Sequence, residues 1–234
     1  MFEGQAAIVT GAGRGIGRAV AERLSRAGAG VVCTARTTSE LDTLVQELRD
    51  AGGRAIAVTA DVTKPEDVER LVATTVKEFG RIDVLVNNAG TVQPSPLVDM
   101  SFELWRSTLA VNLDSIYLTC HAVAPHMIAA RRGRIVNVAS ISGVRGSQKF
   151  PGFTAYAAAK AGVIVFTEAL AAELREHGIR VNAISPGSVD TPLLRAVAPD
   201  LEAGMSAAEV AESIAFLAGD GSRPVNGTNL EIFG

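Results

Sequence analysis

Two side chains of complementary chemistry stand four residues apart in "YAAAK": the phenol of Tyr156 and the amine of Lys160. Residues at i and i+4 share one face of an α-helix, so this spacing stacks a hydroxyl over an ammonium group, the makings of a tuned proton donor. An alanine-rich helix with a Tyr and a Lys snorkelling to the surface fits the same residues. The rest of the sequence decides between the two readings.

A second reactive feature lies near the N-terminus. "TGAGRGIGRAV" places Gly11, Gly13, Gly15 and Gly17 between a β-branched run and a helical one. A strand, a glycine turn and a helix N-terminus bind pyrophosphate, because free N–H groups and the positive end of the helix dipole both face the anion. Ile16 stands where the third glycine of GxGxxG would fall, so the spacing is TGxxxGxG. About 20 residues on, NAD-preferring folds place an acid on the ribose 2′-OH. Here "VVCTARTTSELD" offers Ala35, Arg36 and Thr37, with no carboxylate before Glu40. Arg36, together with Arg14 in the glycine loop, suits a 2′-phosphate through charge-assisted forks. The expected cofactor is therefore NADP(H) rather than NAD(H), against the alternative of two solvated surface arginines.

The elements that must position these groups alternate. "AAIVT", "GVVCTA", "RAIAVTA", "DVLVNN", "GRIVNVAS", "RVNAIS" and "NLEIF" read as buried strands, with helices expected at about 15–27, 39–51, 65–79, 101–130, 153–176 and 206–218. Thr63 with Glu66, and Ser206 with Glu209, have capping-box spacing, and Pro65 fits a first helical turn. Gly28, Gly52, Gly80 and Gly178 follow helical runs. The order predicts an α/β fold: a single domain spanning 1–234, doubly wound and Rossmann-type, with a seven-stranded parallel sheet between two layers of helices. Ligands in such folds bind beyond the C-terminal strand ends, where strand order reverses.

Composition narrows the partners. In 234 residues, 47% hydrophobic and 20% charged, a net charge of −3 and pI near 5.7 leave no electrostatic footprint for nucleic acid or anionic lipid. The N-terminus has no signal pattern and no apolar run reaches the ~18 residues that span a bilayer, so a cytoplasmic protein with no membrane partner is expected. Cys33 and Cys120 lie in apolar segments as small buried hydrophobes, and the three histidines lack ligand spacing, so no metal site is assigned.

Thr10-Gly11…Gly15…Gly17, Asp61-Val62, Asn87-Asn88-Ala89-Gly90, Asn112, Ser140, Tyr156…Lys160 and Pro186-Gly187 with Thr191 resemble, in order and spacing, the short-chain dehydrogenase/reductase family over nearly the whole chain. The resemblance implies that Asp61 and Val62 hold the adenine, and that Asn87, Ala89 and Gly90 border the adenosine ribose, with Asn88 in the same turn. It further implies that Pro186, Gly187, Val189 and Thr191 line the nicotinamide side. Asn112 resembles the family's helix-bend asparagine of a proton relay, and Ser140 the donor that polarises the substrate carbonyl. Tyr156 becomes the acid that protonates an alkoxide after hydride transfer, and Lys160 lowers its pKa and binds the nicotinamide ribose.

Departures from the family set the remaining expectations. "ISGVRGSQKFPGFTA" is longer than in compact bacterial members, so Arg145, Lys149 and Phe150 can reach the substrate mouth. The substrate lid at about 188–205 looks trimmed and the cleft open. The nearest subgroup is the 3-oxoacyl-(acyl carrier protein) reductase type, whose carrier-docking arginines Arg131 and Arg132 match at one position while His177 stands at the other. The expected function is reversible NADPH-dependent reduction of a small-molecule ketone, with a sugar, polyol or steroid-like alcohol as alternative substrate. A non-catalytic NADP(H)-sensing protein is the alternative of another class. Apolar surplus on the 101–130 and 153–176 helices predicts a homo-oligomer, dimer or tetramer.

Overall fold

The computed structural model describes residues 2–233, so the expected extent of 1–234 includes two terminal residues outside them. The strands are β1 (Ala6–Thr10), β2 (Gly30–Ala35), β3 (Arg54–Thr59), β4 (Val84–Asn87), β5 (Gly133–Val138), β6 (Ile179–Pro186), β7 (Val189–Asp190), β8 (Met205–Ser206) and β9 (Asn229–Ile232). Seven of them pair in parallel in the order β3-β2-β1-β4-β5-β6-β9, and β7 pairs with β8 apart from that sheet. Strand order reverses between β1 and β4, whose C-terminal ends carry the glycine loop and Asn88.

Period-two alternation sorts the core into two halves. Val9, Val31, Cys33 and Val86 pack with α1 (Gly15–Arg26), α2 (Thr38–Asp50) and α8 (Ala207–Ala218), through Leu24, Leu44 and Ile214. Ile8, Val32, Leu85 and Ile135 face the opposite way, onto α3 (Pro65–Phe79), α5 (Ser115–Ala130) and α6 (Thr154–Leu174), through Leu71, Ile116 and Val163. Helices cover both faces, which is why the strands read as nearly continuous apolar runs. Cys33 and Cys120 are free and buried, and burial pushes both thiols up to about 12.

Several expectations meet a different local solution. The single helix expected at 101–130 is α4 (Phe102–Leu109), a π-helical turn at Ala110–Asp114 and then α5. Thr63 does not cap α3: Lys64 is at the N-cap, while the Thr63 hydroxyl donates to Asp61 Oδ1 at 2.7 Å. Asp67 closes that turn instead, accepting from the Asp61 N–H at 2.8 Å. Ser206 and Glu209 do form the reciprocal capping box. The region 188–205 holds β7 and a short helix α7 (Pro192–Val197). One helix, Thr154–His177, is long and apolar enough, by length and composition alone, to cross a membrane, a test that a core helix also passes. In the fold this helix lies along β6 and carries the buried Lys160.

Candidate active site

The glycine loop follows β1 and opens α1. A Cβ on Gly11 would sit 2.9 Å from Ala89 Cα, and one on Gly13 2.5 Å from Glu40 Oε2, so the loop's shape depends on missing side chains. Gly15 turns the chain at φ +57. Gly17 does not line the cleft: it is buried, and a Cβ there would overlap the Gly11 carbonyl, so its task is to let α1 pack under the loop.

Thr10 stitches this loop to the next. Its hydroxyl accepts from the Asn88 and Ala89 N–H groups, both at 3.0 Å, while the Asn88 amide donates to the carbonyls of Thr10 at 3.0 Å and Gly11 at 3.2 Å. Asn87 points elsewhere. Its amide donates to Asn137 Oδ1 at 2.9 Å and its Oδ1 accepts from Thr119 at 2.7 Å, so it belongs to a polar chain inside the sheet rather than to a ribose border. The Asn137 amide extends that chain to Thr167 on α6 at 2.9 Å.

Gly11, Gly13, Arg14, Gly15, Ile16, Arg36, Thr37, Asp61, Val62, Asn88, Ala89, Gly90 and Thr191 all line one cleft of about 230 Å³. Arg36 is exposed in it. Glu40, distant from the glycines in sequence, enters the same cleft from the first turn of α2 and stands 4.0 Å from the Arg14 guanidinium. The cleft can hold a dinucleotide: the glycine loop lines it beside the N-terminus of α1, and the guanidinium-bearing side chains of Arg14 and Arg36 line it too.

A second cavity of about 610 Å³ adjoins the first, sharing Ile16, Asn88, Gly90, Thr91, Thr191 and Leu193. Asn112, Ser140, Tyr156, Lys160, Pro186, Gly187 and Val189 line it. The residues expected at the two ends of the cofactor therefore line two adjoining cavities.

Each reactive group is held by a specific device. Ser140 follows β5 in extended conformation and its oxygen accepts from the Ser142 N–H at 3.2 Å. Lys160 is buried, donates to the Val138 carbonyl at 2.7 Å and lies 5.7 Å from the Tyr156 ring centre. Burial lowers its pKa to about 8. The Tyr156 hydroxyl is pushed above its ordinary value by burial, and a hydrogen bond with Ser140 pulls it partly back. Ser140 thus offsets part of the effect of burial on Tyr156, while the Lys160 ammonium is directed at a backbone carbonyl.

Asn112 is fully buried in the π-turn. Its amide donates to the carbonyls of Thr91 at 2.8 Å and Thr108 at 2.9 Å, and its Oδ1 accepts from the Thr91 N–H at 3.3 Å. Asn112 thereby fixes the loop after Gly90, and a Cβ on Gly90 would fall 3.0 Å from its oxygen and 3.6 Å from Lys160 Nζ.

Sequence reasoning missed Gly143, Glu40 and the lid side chains Leu194, Val197 and Leu201, which line one cleft or the other or brace it. Of the three loop residues, Phe150 lines the cavity, Lys149 folds back to donate to Ser142 and Val144 carbonyls at 2.8 and 2.5 Å, and Arg145 stays at the surface. Among the described residues, no group of three or more His, Cys, Asp or Glu gathers as a metal site would require.

Residues 5–202 match the family described as short chain dehydrogenase. The chain is 38% identical over 243 residues, covering 100% of itself and 97% of the relative, to the 3-oxoacyl-(acyl-carrier-protein) reductase FabG of Escherichia coli (strain K12). It is 43% identical over 190 residues, 81% of the chain and 76% of the relative, to the reductase of that name from Synechocystis sp.. Levodione reductase superposes with a TM-score of 0.93 at 30% identity, covering 100% of this chain and 98% of that one. The actinorhodin polyketide ketoreductase with NADPH gives 0.91 at 36% identity, covering 98% and 96%. Because the matched segment takes in the glycine loop and every candidate site residue through Thr191, the chain belongs to the short-chain dehydrogenase family.

Proposed function

We propose that the protein is an NADPH-dependent ketone reductase in which Tyr156 delivers the proton. As a member of its family it is an oxidoreductase interconverting a ketone and a secondary alcohol. One observation carries the finer reading: Ser140, Tyr156 and Lys160 converge on the floor of a cavity continuous with the glycine-loop cleft. When bound, a reduced nicotinamide supplies the hydride that the carbonyl carbon accepts. Ser140 and Tyr156 hold the carbonyl oxygen, and Tyr156, a phenol that is protonated at neutral pH, gives its proton to the forming alkoxide. Lys160 spends one of three N–H donors on Val138 and keeps two for a ribose hydroxyl and the returning proton. Pro186, Gly187, Val189 and Thr191 form the wall beside the ring, while Asp61 and Val62 border the adenine.

Arg14 and Arg36 support NADP(H) over NAD(H), as does the NADPH in the related ketoreductase. The relatives' names support a 3-oxo group in the substrate. Docking of a carrier protein has less support: the Arg131 guanidinium donates to the Glu176 carbonyl, and Arg132 lies 3.5 Å from the buried Asp83. Exposed Tyr117 on α5 and Val165 on α6 support pairing of these helices in a cytoplasmic homodimer or homotetramer. Loss of NADPH absorbance with acetoacetyl thioesters and small diketones tests the reading. Folded protein that binds NADPH but turns over no carbonyl would establish the cofactor-sensing alternative in its place.

A further inference from the structure

The mouth of the larger cavity is built from apolar side chains that the fold leaves partly in water. Phe150 is 38% exposed, Leu193 37%, Leu201 45% and Phe233 66%, and all four line that one cavity. Side chains of this size left facing solvent around a single opening mark a binding surface rather than scattered exposure. They come from three separate segments: the loop before α6, the lid around α7, and the chain end after β9. Phe153 continues the apolar wall inward, standing edge-on to the Tyr156 ring at 6.1 Å.

Charge is absent from the same surface. Among the described residues lining this cavity, Lys160 is the one ionisable cation, and it is committed to Val138 and the reacting centre. The cations nearest in sequence are directed elsewhere: Lys149 closes its own loop, and Arg195 on the lid pairs with Asp190 at 2.7 Å in a depression that meets the cavity only through Leu194, Ala198 and Leu201. A phosphate or carboxylate entering here would lose its hydration with no partner to replace it.

Resting on the reductase reading, we infer that the substrate is an uncharged ketone bearing bulky apolar arms, seated between the phenylalanines and the lid leucines. Its carbonyl carbon gains the hydride of the reduced nicotinamide, which is oxidised, and its oxygen takes the Tyr156 proton, giving a neutral secondary alcohol. Sugars and anionic acyl conjugates are poor fits to this surface.

Two matched pairs test the inference in steady-state assays with NADPH. For bulk, 2-decalone is compared with cyclohexanone; for charge, 4-oxocyclohexanecarboxylate methyl ester is compared with its free carboxylate. The expected kcat/KM ratios are about 10-fold or more in favour of 2-decalone and about 100-fold in favour of the ester. Phe150→Lys, checked for folding by circular dichroism and for NADPH binding by fluorescence, should narrow the ester-to-carboxylate ratio. Equal rates within either pair, or a preference for the carboxylate, overturn the inference and leave the reductase standing. Failure to reduce any ketone removes the reductase reading and the inference with it.

Discussion

Gly143 lies so close to Lys160 that a Cβ on the glycine would sit 2.5 Å from the lysine carbonyl carbon and from Ala161 N. This approach locks the turn carrying Ser140 onto the helix carrying Tyr156, so the two hydroxyls share one rigid reference. Gly143→Ala must push the turn and helix apart. The expected cost is about 1–3 kcal/mol of stability, read by thermal melting. A fall in kcat on the order of 100-fold should accompany it, because a small displacement between donors is enough to misplace a reacting group.

Tyr156→Phe removes the proton donor while keeping the ring against Phe153. Turnover should fall by about 10²–10⁴-fold with little change in NADPH affinity measured by fluorescence. In the wild type, burial holds the phenol above its ordinary value, so the alcohol-oxidation rate, which needs the phenolate, should climb with pH through the alkaline range. A rate independent of pH there would remove Tyr156 from the proton transfer.

Burial takes Lys160 from 10.5 down to about 8. A lowered cation pKa means that the unfolded state holds the proton more tightly, so the lysine destabilises the fold wherever it is charged in both states. That penalty is complete below about pH 8 and fades as pH rises toward 10.5. Lys160→Met should therefore abolish turnover yet raise stability by about 3 kcal/mol at neutral pH. The gain should shrink to nothing by about pH 10.5 in melts run across that range.

The Arg14 guanidinium in the glycine-loop cleft is partly neutralised by Glu40, 4.0 Å away. Arg36→Asp should weaken NADPH binding about tenfold or more while sparing NADH, since a good charged hydrogen bond to phosphate is lost and a repulsion gained. Glu40→Gln should act in the opposite sense and tighten NADPH about two- to fivefold, a small effect because the pair with Arg14 is exposed. Raising the salt concentration should erase most of that second difference in a titration.

The strands, the glycine turn and the "YAAAK" pair were legible because they are local signals: buried apolar runs, missing side chains and one helical repeat. What stayed hidden depends on three-dimensional return of the chain. Glu40 reaches Gly13 only after β2 and the first turn of α2 fold back, and nothing in its neighbours announces this. Asn87 and Asn88 are adjacent in a motif read as one unit, yet strand alternation sends the first into the sheet and the second to the glycine loop. The spacing puts Lys160 one turn from Tyr156, but the Val138 carbonyl at the end of β5 lies 2.7 Å from its ammonium.

The π-turn at Ala110–Asp114 sets the phase of the helical arm. Thr108, Asn112, Ile116 and Cys120 all face inward at intervals of four, a pattern that drifts by about 40° per step on a regular α-helix. The wider turn absorbs part of this drift, so the buried asparagine and the core stripe beyond it stay on one side. Removing a single residue from this turn would close it to a regular α-helix, in which Ile116 stands seven residues from Thr108 and stays within about 20° of it, so the stripe beyond keeps its side while Asn112 loses its place. The extra residue therefore serves the asparagine rather than the core: one position in the chain decides whether Asn112 reaches the Thr91 carbonyl, and the apolar stripe is indifferent to it.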